Sequence, residues 1–146
     1  MADSAPLRLL AEDAEDLKVI SAALQDAVAK IGDINYEPRA RRLTIAVNRF
    51  CWEAGTGRSG GQRVRAALQI GGVMGVQARR LKREPKDAVV ELLALDFEPG
   101  DAPGGKVLLR FAGGADLAVE VECVEAVLAD VSQPWTTPRE PRHELG

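Results

Sequence analysis

The sequence is poor in the residues that most active sites need. Its 146 residues include one histidine, two cysteines, one tyrosine, two tryptophans and three phenylalanines. A zinc site wants clustered Cys and His, and the single histidine, His143, lies near the C-terminal end. The same shortage leaves no Ser-His-Asp arrangement and no base beside either cysteine to make a thiolate nucleophile. Two cysteines, Cys51 and Cys123, do not make a disulfide framework, so both thiols are expected to be reduced. No apolar run approaches the roughly 18 residues of a membrane span. The first residues, Met1-Ala-Asp-Ser-Ala-Pro, have neither the basic nor the apolar region of a signal peptide. These absences point to a cytoplasmic protein with no metal, no cofactor and no membrane partner. With aromatic residues at 4%, the core must be built mainly from Leu, Val, Ile and Ala.

Charge is plentiful and unevenly placed. Residues 1–37 carry three Lys/Arg against eight Asp/Glu, residues 38–88 twelve against three, and residues 89–146 four against eleven. A basic middle therefore lies between acidic ends, although the net charge is only −3. The length fits a single domain, expected over residues 1–131, with a flexible Pro-containing tail over 132–146.

The hydrophobic period gives one clear helix and then strands. Asp13 can cap a helix N-terminus, Glu15 and Asp16 suit its first turn, and Leu17, Ile20, Leu24, Ala27 and Val28 make one apolar stripe. That helix is expected to end before Gly32. Ile31–Glu37 reads as a strand and Pro38–Arg41 as a turn. Leu43, Ile45 and Val47 then alternate as in a half-buried strand, and Phe50 and Trp52 break the parity, which predicts a bulge near Asn48–Arg49. Val64, Ala66, Leu68 and Ile70 alternate next, with Arg63 and Arg65 on the outer face, and Gly71-Gly72 makes the turn into Val73–Leu81. Val89–Glu98 is apolar enough for a strand covered on both faces. Val107, Leu109 and Phe111 lead through a Gly113-Gly114 turn to Leu117, Val119, Val121 and Cys123, and Glu125–Val131 reads as a short helix. The fold class is α+β, mainly antiparallel. About seven strands form a curled sheet or small barrel, with one N-terminal helix and a short C-terminal helix. That element order is also the one of pleckstrin-homology-like barrels.

Several stretches are familiar: Leu-Lys-Val-Ile-Ser-Ala-Ala-Leu-Gln-Asp-Ala-Val (17–28), Asn-Arg-Phe-Cys-Trp-Glu (48–53), Phe-Glu-Pro-Gly-Asp-Ala-Pro (97–103) and Val-Glu-Cys-Val-Glu-Ala (121–126). Together they resemble a family of small bacterial proteins known only as a domain of unknown function. The resemblance spans nearly the whole chain and implies a single domain. It brings no activity, ligand or site residue.

Two glycine-rich runs imitate phosphate loops. Residues 55–60 fit Gly-x-Gly-x-x-Gly and residues 100–106 approach a P-loop, but both run into alternating, strand-like sequence. A phosphate loop needs a helix there, to bring its N-terminus to the phosphates. Both are read as strand connections. The basic middle remains the feature that speaks to partners. Arg39, Arg41 and Arg42 crowd one turn, Arg63 and Arg65 share a strand face, and Arg79, Arg80, Lys82 and Arg83 make a third cluster. Brought together they form an anion-attracting or partner-binding surface; kept apart, they are solvated edge-strand faces or pair with the acidic ends. Trp135 either packs back on its own domain or docks on a neighbour. The leading expectation is a non-enzymatic protein-binding or adaptor module, with a homodimer among the options. The alternatives are a nucleic-acid-associated protein using 39–83, and an enzyme whose site draws only on Asp, Glu, Arg and Tyr36.

Overall fold

The computed structural model describes residues 6–51 and 61–136. Strand β1 (Arg8–Ala11) leads into helix α1 (Ala14–Ala23), followed by β2 (Ala27–Lys30), a 3₁₀ turn at Ile31–Asp33, β3 (Ile34–Glu37), β4 (Arg42–Phe50) and β5 (Gln62–Ile70). The remaining strands are β6 (Val73–Arg79), β7 (Val89–Pro99), β8 (Gly105–Phe111), β9 (Asp116–Val121), β10 (Ala126–Asp130) and β11 (Trp135–Thr136).

Asp13 caps α1 as expected: its carboxylate accepts the Asp16 N–H at 2.8 Å. The helix stops a turn earlier than its apolar stripe suggests. Asp26 takes a left-handed φ of +66° and donates its N–H to Leu92 O at 2.9 Å. Ala27 and Val28 then leave the helix and pair with β7 and β4. Ladder hydrogen bonds to two strands outweigh the helix propensity of an Ala-rich segment here.

All ladders are antiparallel, and the main path runs β1-β10-β5-β4-β2-β7-β8-β9-β6, with β3 added to β4 and β11 to β5. There are thus eleven strands rather than about seven, and the path has two ends instead of closing into a barrel. β2 joins the two halves: it runs along β7 for four residues but meets β4 only at Val28 opposite Asn48. The inward residues of β4, β5 and β10 (Ile45, Val47, Leu68, Leu128) share one core with those of β8 and β9 (Val107, Leu109, Val119, Val121). Each such side chain removed from water contributes about 1.5–3 kcal/mol before entropy is counted. Leu17 and Ile20 of α1 join the same core, and the helix packs against β7 and β1.

Three further expectations are corrected. Glu125–Val131 does not form a helix; Ala126–Asp130 is β10, held between β5 and β1. Gly71-Gly72 does not close a hairpin. β5 already has β4 on one side and β10 on the other, so the chain crosses to the far half and β6 pairs with β9. Val89–Glu98 is not covered on both faces: Val89 and Leu93 are 62% and 42% exposed. The register shifts between Leu92 and Ala94, and Leu93 falls in that bulge.

The bulge expected at Asn48–Arg49 is absent as well. The β4–β5 register runs unbroken from Leu43 opposite Ile70 to Phe50 opposite Arg63. Arg49 therefore continues the inward parity of Leu43, Ile45 and Val47, and its side chain is fully buried.

Candidate functional site

An open sheet leaves inward-facing residues uncovered at its ends. At the β6 end this makes a groove. Val76 and Ala78 point inward but are only half-buried, whereas Val119, Val107 and Leu109 on the neighbouring strands are sealed. Across the gap stands the β3–β4 hairpin, which belongs to the other half of the sheet. Between them lies a cavity of about 440 Å³ with an apolar floor of Ile34, Leu43, Val76, Ala78, Leu81 and Leu117. Tyr36, Lys82, Arg83 and Lys86 are on its rim, with Glu84 as the acid among them.

Both ends of the groove are fixed by backbone contacts. At one end Val73 N–H donates to Arg41 O at 2.9 Å, and the Arg41 guanidinium meets Glu122 at 2.6 Å. At the other, Gly32 N–H donates to Lys86 O and Ile31 N–H to Ala88 O, both at 2.9 Å. These bonds tie the basic segment 82–86 to the 3₁₀ turn. The two sheet halves thus touch at Val73 and diverge toward the basic rim.

The structure scatters the arginines singled out in the sequence. Arg63 and Arg65 do lie on the outer face of β5, but near Asn48 and Phe50 of β4, whereas Arg42 starts that strand. Six residues separate Arg42 from Asn48, or about 20 Å at the usual strand rise. Arg79 and Arg80 belong to the opposite half of the sheet, at the end of β6. Arg83 stands on the groove rim and Arg39 in the exposed β3–β4 turn.

Several of these arginines have carboxylate partners in the same chain. Arg41 pairs with Glu122, Arg42 with Glu37 at 2.7 Å, Arg65 with Asp33 at 3.1 Å and Arg79 with Asp116 at 2.7 Å. The Arg79 hydrogen bond holds the Asp116 carboxyl below its usual range, and the same bond raises Arg79. Arg63 lies 5.9 Å over the Phe50 ring and donates to Asn48 O at 3.1 Å. Burial pushes the Arg63 guanidinium down, against the pull of Asp26, Glu91 and Cys51. Trp135 sits opposite Arg63 on β11, 41% exposed.

One charged pair escaped the sequence reading. Arg49 Nε and Nη2 both donate to Asp130, at 2.9 Å each, with the two side chains 0% and 7% exposed. Asp130 Oδ2 also accepts the Leu7 N–H at 2.8 Å. The pair joins β4 to β10, and through Leu7 to the approach of β1.

The glycine-rich run at 100–106 is the β7–β8 hairpin, closed by Gly100 N–H to Gly104 O and Gly104 N–H to Asp101 O. The run at 55–60, Trp52 and His143 lie outside the described residues. Neither cysteine is in a disulfide: Cys51 is buried, and Cys123 is half-buried just beyond β9. Among the described residues no three His, Cys, Asp or Glu side chains are grouped to hold a metal ion. No helix among them is long and apolar enough to cross a membrane.

The family model described as Protein of unknown function (DUF2948) matches residues 7–143. The chain belongs to that family. The match takes in every strand of the sheet, so the groove and its rim are part of the family domain. No curated protein and no solved structure matches the chain.

Proposed function

We propose that this protein is a non-enzymatic binding module of the cytoplasm that holds an extended, acidic segment of another protein in the groove between β3 and β6. The observation that carries this reading is the half-buried state of Val76 and Ala78. They belong to the inward parity of an end strand, and among the described residues no further strand covers them. An end strand offers unpaired backbone N–H and C=O groups on its outer side, which an added strand can use. Alternate side chains of such a segment would fall on the apolar floor. The acidic character follows from Lys82, Arg83 and Lys86 on the rim, opposed by Glu84 alone.

The shortage of aromatic side chains separates this reading from nucleic-acid binding. Among the described residues the groove lining has Tyr36 as its one aromatic side chain, where single strands need stacking platforms. Among the described residues the groove lining has no Ser, Thr, Cys or His to act as nucleophile or imidazole base, which supports a binding role over catalysis.

Selection of a random peptide library displayed on phage tests this. The purified protein should enrich sequences that alternate apolar residues and carry Asp or Glu. Their binding should fall about tenfold or more in a Lys82→Glu, Arg83→Glu, Lys86→Glu variant, since these exposed charges can be reversed without disturbing the core. Enriched peptides that bind this variant and a Val76→Glu, Ala78→Glu variant as tightly as the original would overturn the assignment.

A further inference from the structure

We infer that the corner where β6, β8 and β9 meet is a binding site for a doubly charged oxyanion of the phosphate-monoester class. Arg110, Asp116 and Arg79 occupy one register row across β8, β9 and β6, on the face opposite the core. Asp116 accepts from Nε and Nη2 of Arg79, at 3.0 and 2.7 Å, while Nε of Arg110 turns away to Asp96. Two of the guanidiniums at this corner are therefore matched by carboxylates. The third, Arg80, makes no hydrogen bond or ion pair among the described residues.

Arg80 follows directly on β6, so a continued strand would aim it to the opposite face from Arg79. Its φ of +57° turns the chain instead. Arg79 and Arg80 then line one open bowl, with Gly114 and Asp116 as its other walls. Glycine or asparagine would adopt that left-handed conformation at lower cost. An arginine there sets a free guanidinium beside a paired one. Gly114 lines the bowl, and its N–H donates to no protein atom among the described residues.

The donors left open are the whole fork of Arg80, Nη1 of Arg79 and this backbone N–H. All three belong to residues that line the bowl. A carboxylate fills one fork in its own plane, whereas a phosphate monoester offers three oxygens arranged in space. Charge agrees, because the bowl is lined by two arginines, Arg79 and Arg80, against the single carboxylate of Asp116 among the described residues. The site lies on the outer face and the groove on the inner one, so it stands independently of the proposed peptide site.

Calorimetric titration with inorganic phosphate and with a short phosphoserine peptide tests the inference. Saturable binding of the wild-type protein is expected. Arg80→Gly should keep its melting temperature, since glycine accepts the positive φ, yet lose about tenfold or more in affinity. Asp116→Asn releases Arg79 and should tighten binding. Tighter binding of the peptide than of inorganic phosphate assigns the site to a phosphorylated side chain, and equal binding assigns it to free phosphate or a small ester. Failure of both probes to bind the wild-type protein, or binding by Arg80→Gly at wild-type strength, would overturn the site. A Val76→Glu, Ala78→Glu variant should bind phosphate normally, which separates this test from that of the groove.

Discussion

Arg49 and Asp130 each stand last but one or last on a strand, at the position that alternation assigns to the core. In sequence, Leu43, Ile45 and Val47 are followed at the same spacing by Arg49, and Ala126 and Leu128 by Asp130. The signal was therefore present. Read strand by strand it suggests a bulge, because Phe50 and Trp52 carry the apolar pattern onto the other parity. It becomes intelligible once β10 is a strand and lies in the same half-sheet as β4. Each charge then neutralises the other, with two parallel hydrogen bonds. Removing either partner alone takes the counter-charge from a buried ionic group, although Arg49 also donates to Phe50 O. Arg49→Met and Asp130→Asn should each lower stability by about 3–5 kcal/mol in urea unfolding. In Arg49→Met with Asp130→Leu the loss should be well below the sum, because no charge is left unpaired. Additive losses would show that the two residues act separately.

At the scale of elements, local chemistry was legible and pairing was not. The Asp13 cap, the inward parity of β4, β5, β8 and β9, and the Gly113-Gly114 turn all follow from short-range rules. The cap alone should be worth about 1 kcal/mol, so Asp13→Ala should lower the urea midpoint accordingly, with Asp13→Asn nearly neutral. An unchanged midpoint in Asp13→Ala would mean that α1 is held by packing alone. The segments that misled are those whose conformation is decided by a distant partner. Ala27–Lys30 continues a helical stripe yet pairs with β7, Ala126–Asp130 is short and rich in helix formers yet fills the slot between β5 and β1, and Gly71-Gly72 resembles a hairpin turn yet spans two half-sheets. No period within one segment carries that information.

Across the whole molecule, the candidate groove is a product of topology. Its floor comes from β3, β4, β6 and β9 with Leu81, and its rim from Tyr36 of β3 and the segment after β6. These stretches are far apart in sequence, and strand order brings them together. Lys82, Arg83 and Lys86 were visible as a basic run, but their setting above an uncovered apolar floor was not. Part of the charge asymmetry of the sequence is settled inside the fold, where Glu37, Asp33, Asp116, Glu122 and Asp130 meet arginines of the basic middle. The rim of the groove is one place where positive charge is left facing outward.

Amide hydrogen exchange of the protein with a library-selected peptide bound tests the central claim most directly. The account predicts slowed exchange concentrated in β6 and β3, the two strands that flank the groove, with the β1 end unchanged. Protection that fell on β1 or the outer face of β5, with β6 exchanging as fast as in the free protein, would contradict it.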